Sequence, residues 1–120
     1  MTQYPYFSDA ELACSCCGEA KMDPGFMAKV IRIREIFDYP MVLSSAYRCP
    51  DYNAQVSSTG RSGPHTTGRS IDVKVYGPRA VRLLTVALDE GMLGIGVSQK
   101  DPHANRFLHL DDLSCRMWSY

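Results

Sequence analysis

His65, Asp72 and His109 carry the strongest chemical signal in this chain, which holds only three histidines in its 120 residues. His65 closes a glycine-rich loop. Asp72 stands in the alternating segment Ile71-Asp72-Val73-Lys74-Val75, and His109 lies between Phe107-Leu108 and Leu110. If these two segments are neighbouring antiparallel strands in register, two imidazoles and a carboxylate converge on one side of a sheet. Two His and one carboxylate leave an open coordination position, as a catalytic Zn²⁺ requires and a structural one does not. Spacing alone leaves a plainer reading open: a histidine in an apolar strand is commonly a hydrogen-bonded core residue, and an Asp on a strand's polar face is usually solvated.

The elements that must position these residues follow from local patterns. Ser8-Asp9-Ala10-Glu11 has the form of a capping box and predicts a short helix that ties down the N-terminus. Asp23-Pro24 supplies an N-cap and a first-turn proline. Phe26, Met27, Val30, Ile33 and Phe37 then recur at helical spacing to about residue 38, marking a core helix. Residues 41–45 read as a buried strand, and a short helix begins near Asp51. Residues 57–64 are rich in loop formers and predict a mobile surface excursion. Residues 71–75 alternate as a strand with Ile71, Val73 and Val75 on one face. A helix over 78–90 buries Ala80, Leu83, Leu84, Ala87 and Leu88 and stops at Gly91. Strands follow at 94–98 and 107–110, separated by a polar loop, and residues 115–120 form a last edge strand. This order predicts one α+β domain over residues 1–120, a central antiparallel sheet backed by helices.

Composition narrows the function classes. Thirteen Lys+Arg balance 13 Asp+Glu, with no basic stripe, so nucleic-acid binding is disfavoured. No apolar run is long enough to span a membrane, and the N-terminus has neither a basic start nor an apolar stretch after it, so no cleaved signal is expected. Five cysteines are present: Cys14, Cys16, Cys17, Cys49 and Cys115. Cys14-x-x-Cys17 has metal-ligand or redox spacing, but no second such pair completes a zinc ribbon. A structural zinc through Cys14, Cys17 and Cys49, a disulfide from the 14–17 cluster to Cys49, and buried free thiols all remain open.

Three segments in order resemble a known group. Pro64-His65-Thr66-Thr67-Gly68-Arg69-Ser70-Ile71-Asp72 is similar to the His-x-x-Gly-x-Ala-x-Asp signature of zinc D-alanyl-D-alanine carboxypeptidases. Their relatives include the phage L-alanyl-D-glutamate endopeptidases and the hedgehog signalling domain. Ser44-Ser45-Ala46-Tyr47-Arg48-Cys49-Pro50 with Asn53 resembles the group's Ser-Gly-Tyr-Arg-x-Pro-x-x-Asn segment. Gly94-Ile95-Gly96-Val97 and Phe107-Leu108-His109-Leu110-Asp111 resemble two strands of its small phage-type members. The resemblance implies that His65, Asp72 and His109 bind Zn²⁺ and that Arg48 holds substrate and the developing oxyanion. The function it implies is hydrolysis of peptidoglycan stem or cross-link peptides by a protein made in the cytoplasm. Such a protein acts at the bacterial cell wall as a monomer, after release or as part of a phage particle.

Two departures from the family pattern bear on that function. The larger relatives carry a catalytic base two or three residues before the last zinc-binding histidine, where this chain has Phe107 and Arg106. Candidates to replace it are Asp111, which projects to the same strand face as His109, and His103, in the loop leading into that strand. Asp101, Glu90 and Asp112 read as surface residues. The family's Ser-x-His is Gly63-Pro64-His65 here. Trp118, Tyr4, Tyr6 and Tyr120 could line a substrate groove, although closing the core around the termini is the favoured reading. The alternative to a peptidase is an inactive, metal-stabilised binding or virion structural domain of the same fold.

Overall fold

The computed structural model describes residues 3–120; residues 1 and 2 of the expected domain lie outside the described residues. Ser8 and Glu11 form the reciprocal capping box that starts α1 (Asp9–Leu12). The Asp23 side chain accepts from the Phe26 amide and opens α2 (Pro24–Phe37), which buries Phe26, Met27, Val30, Ile33 and Phe37. Then come β1 (Val42–Ser45), α3 (Pro50–Val56), β2 (Ser70–Lys74), α4 (Gly77–Asp89), β3 (Gly94–Ser98), β4 (Phe107–Asp111) and β5 (Arg116–Ser119).

The five strands form one sheet in the order β1-β2-β4-β3-β5. All pairings are antiparallel except β3 with β5, which is parallel. Ile71 and Val73 of β2, Leu108 and Leu110 of β4 and Ile95 of β3 meet the buried faces of α2 and α4 in a single apolar core. The chain is therefore an α+β fold with a mostly antiparallel sheet backed by helices. No helix among the described residues is long and apolar enough to cross a membrane.

Three local expectations need correcting. Residues 41–45 do not make a buried strand: β1 is a sheet edge, with Leu43 inside and Val42 exposed. On α4, Leu88 is exposed and Val86 takes its place in the core. Residues 57–64 are not a free excursion but wind into two 3₁₀ turns, Gly60–Ser62 and Pro64–Thr67. The buried Asn53 holds them, donating from Nδ2 to Thr59 Oγ1 at 2.9 Å and to the Gly60 carbonyl at 2.6 Å.

Candidate metal centre

On the sheet face away from the helices, β2 presents Ser70, Asp72 and Lys74, and β4 presents Phe107, His109 and Asp111. The register pairs Asp72 with His109 directly, so the strand alternation seen in the sequence brings the two side chains together. His65 comes from the turn Pro64–Thr67, which ends at Gly68 with φ +75°. A side chain at Gly68 would also strike the Lys21 carbonyl, and this double constraint explains the glycine.

His109 Nδ1 lies 2.9 Å from Asp72 Oδ1, and His65 Nε2 lies 3.3 Å from the same oxygen. All three donor groups fall within 4.8 Å of one another and are buried. The protons can be placed from the outer partners. His65 Nδ1 faces the Ala46 carbonyl at 2.7 Å; a carbonyl only accepts, so Nδ1 carries a proton, and in the neutral ring Nε2 turns a lone pair inward. His109 Nε2 faces Asp111 Oδ2 at 2.7 Å. Held there by a carboxylate, its proton leaves Nδ1 to face Asp72. Two inward imidazole nitrogens and a carboxylate are a donor set short of a cation, and their spacing suits bonds of about 2.0–2.1 Å to one zinc-sized ion. The residues fit the metal.

The electrostatics describe the same atoms with protons, rather than a cation, between them. Burial opposes ionisation of Asp72, but hydrogen bonds and charge from His109 and His65 outweigh it and hold the carboxyl below its usual range. Burial pulls His109 down, and the Asp111 and Asp72 carboxylates more than reverse that, raising it. Asp111 is lowered in turn, chiefly because its contact with His109 overcomes burial. Asp111 thus braces His109 from behind and stands outside the ring of inward donors.

Arg48 Nη2 lies 3.8 Å from Asp72 Oδ2, and Arg48 Nη1 donates to Asn53 Oδ1 at 3.1 Å. The Arg48 amide donates to the His65 carbonyl at 3.0 Å, so the arginine and the histidine are fixed to each other. Together with Val56 to Thr59 and Pro64 they form one wall of a cleft of about 440 Å³, and Phe107, Arg116, Trp118 and Tyr120 form another. Residues 5–111 match the family described as Peptidase M15. The chain belongs to that family. No curated protein and no solved structure matches it. Family membership supports a peptidase, and the buried His65-Asp72-His109 group is the candidate metal centre.

The other site expectations divide. His103 is not brought to the cleft: it sits in the turn His103–Asn105, stacks on Tyr76 with ring centroids 4.3 Å apart, and faces a separate groove with Tyr39 and Arg79. Trp118 and Tyr120 do not close the core. β5 lies beside β3, placing Trp118 4.9 Å from the His109 ring and Tyr120 5.0 Å from Phe107. Asp112 is not a surface residue; its side chain is 1% exposed and pairs with Lys29 and Arg69.

Two glycines in β3 emerge as necessary to the site. A Cβ at Gly94 would collide with the Asp111 carboxylate, and one at Gly96 would come within 2.8 Å of Trp118 and 2.9 Å of His109. The Gly-x-Gly spacing thus clears the sheet face for His109, the Asp111 carboxylate behind it and the cleft indole. Gly63 has a similar cause: a side chain there would overlap Thr59, which accounts for the missing serine two residues before His65.

Proposed function

We propose that this chain is a zinc-dependent peptidase that hydrolyses peptidoglycan stem or cross-link peptides, at a D-Ala-D-Ala or an L-Ala-D-Glu bond. The observation that carries the reading is the convergence of His65 Nε2, Asp72 and His109 Nδ1 beside a cleft-facing arginine. When bound, Zn²⁺ supplies Lewis acidity that polarises a scissile carbonyl and acidifies water. Arg48, hydrogen-bonded by Asn53 and pinned to His65, holds the oxyanion or a substrate carboxylate without having to reorganise. Asp111 keeps the His109 proton on Nε2. Arg116, Trp118 and Tyr120 give the opposite wall cationic and aromatic character, suited to a short peptide bearing carboxylates. That substrate puts the action at the bacterial cell wall, reached by a monomer after release or as part of a phage particle.

One observation favours a second reading, a metal-holding binding domain without activity. Apart from the ligand Asp72, no carboxylate lines the cleft among the described residues, and Phe107 and Arg106 replace the base of the larger relatives. Incubating the zinc-loaded protein with purified peptidoglycan and identifying new termini by mass spectrometry separates the two. Cleavage that needs both zinc and His65, tested with His65→Ala, supports the peptidase and names its bond. Intact peptidoglycans of several cross-link chemistries, with folded and metallated protein, support the binding domain.

A further inference from the structure

A second cluster of donors lies outside the cleft. After α1 the chain doubles back through Cys14-Ser15-Cys16-Cys17-Gly18: the Gly18 amide donates to the Cys14 carbonyl at 2.9 Å and the Cys14 amide to the Glu19 carbonyl at 2.8 Å. Gly18 has φ +73°, the left-handed conformation that lets so short a knuckle close. Cys49 reaches the same point from the loop between β1 and α3. Cys16 Sγ lies 3.5 Å from Cys49 Sγ and 3.8 Å from Cys14 Sγ, and all four sulfurs of Cys14, Cys16, Cys17 and Cys49 fall within 4.8 Å of one another.

A disulfide joins two sulfurs at about 2.0 Å, and none of these thiols is so joined. A four-thiolate zinc site has bonds of about 2.3 Å, which sets its sulfurs roughly 3.8 Å apart. The Cys16–Cys49 and Cys14–Cys16 separations lie close to the edges of that tetrahedron, and all four sulfurs fall within reach of one ion. Backbone amides face the sulfurs as well: the Cys49 amide donates to Cys14 Sγ at 3.3 Å and the Tyr52 amide to Cys49 Sγ at 3.4 Å. Such donors steady thiolate charge around a bound ion. Neighbouring loops with four converging sulfurs and no shared bond are an assembled ligand set.

We propose that Cys14, Cys16, Cys17 and Cys49 bind a structural zinc ion as a closed tetrathiolate site, separate from the His65-Asp72-His109 centre. Four protein ligands leave no position for substrate, so the site works by cross-linking. It ties the 14–18 knuckle to the loop of residues 46–49, whose other side serves the cleft: Ala46 accepts from His65, and Arg48 precedes Cys49. Zinc at the cysteines therefore fixes the backbone that carries Arg48 and orients His65.

Zinc content of reduced protein, purified from zinc-supplemented culture, tests the assignment independently of peptidase activity. The His65→Ala/His109→Ala protein, whose cysteines are untouched, should retain one zinc per chain. With cobalt in place of zinc it should show intense thiolate-to-metal charge-transfer absorption. Cys16→Ser/Cys49→Ser in the otherwise unchanged chain should lose that absorption and one equivalent of zinc. No zinc in the folded double-histidine variant, with all its thiols free to react or with a Cys16–Cys49 disulfide found by peptide mapping, would overturn the proposal. Because that variant has no cleft metal, the result is the same whether or not the peptidase reading holds, and it stands even if the serine variant fails to fold.

Discussion

Asp72, in β2, and Asp112, one residue beyond β4, are two carboxylates nearly excluded from water, with side chains 9% and 1% exposed. Asp112, just past β4, is closed by permanent cations: Arg69 grips both its oxygens, Lys29 adds a contact at 2.8 Å, and Arg69 also reaches Asp23 at the N-cap of α2. Asp72 faces two imidazoles, with its nearest guanidinium 3.8 Å away. The difference lies in the partner. A guanidinium keeps its charge at any working pH and locks its carboxylate, whereas an imidazole can give up its proton and turn a lone pair to a metal. Asp112 is a clamp between helix and sheet, and Asp72 is placed as a candidate metal ligand.

Asp72→Asn is the sharpest way to break this comparison. It removes the anion of the candidate metal centre and should cost at least about 10³-fold in kcat/KM, roughly 4 kcal/mol of transition-state stabilisation. Zinc measured after dialysis should fall by one equivalent while the fold survives by circular dichroism. Asp112→Asn should do the reverse. Breaking a buried ion pair costs about 3–5 kcal/mol, and because Arg69 and Lys29 are each about a third exposed and can rehydrate, the loss should be about 3 kcal/mol. Thermal unfolding should show it as a Tm lowered by roughly 10 °C, with zinc content unchanged. Full metal loss in this variant would show that the clamp and the ligand are one unit.

Asp111 stands between the two cases, since it touches the candidate ligand His109 on the ring nitrogen that faces away from Asp72. Asp111→Asn should weaken zinc binding by about 10–100-fold, the usual cost of losing such a brace, as read by competition with a chromogenic chelator. A drop in activity at saturating zinc with unchanged affinity would instead give Asp111 a direct part in proton handling.

Much of this was legible before the structure, for reasons specific to each element. The alternation of residues 71–75 and 107–110 fixed which side chains share a face, and the pairing of Asp72 with His109 follows from adjacent antiparallel strands. What the sequence concealed depends on partners far along the chain. Asp112 finds its cations 43 and 83 residues away, and no local pattern announces that. Trp118 and Tyr120 enter the cleft only because β5 runs parallel to β3, a crossing invisible in the terminal segment itself. Cys16, passed over in favour of the Cys14-x-x-Cys17 spacing, joins the cluster through the tight knuckle ended by Gly18. His103 was near His109 in sequence only: the turn before β4 carries it to Tyr76 instead.

The smallest effect lies in acid. Burial alone would raise Asp112, but the hydrogen bonds and charges of Arg69 and Lys29 hold it below the ordinary carboxylate value. A folded pKa below the unfolded one, about 3.9, means the unfolded chain binds the proton more tightly. The clamp's contribution is therefore complete above that pH and is lost as pH falls from about 4 toward the lowered folded value. Asp72 and Asp111 are lowered as well and titrate in the same window, so the wild-type curve alone does not isolate the clamp. The difference between wild type and Asp112→Asn does. Measured by urea unfolding of zinc-free protein, that difference should be flat from pH 7 to 5 and shrink below pH 4. A difference that stayed constant through that range would mean that Arg69 and Lys29 do not favour the ionised form of Asp112, and the distinction drawn between the two carboxylates would fail.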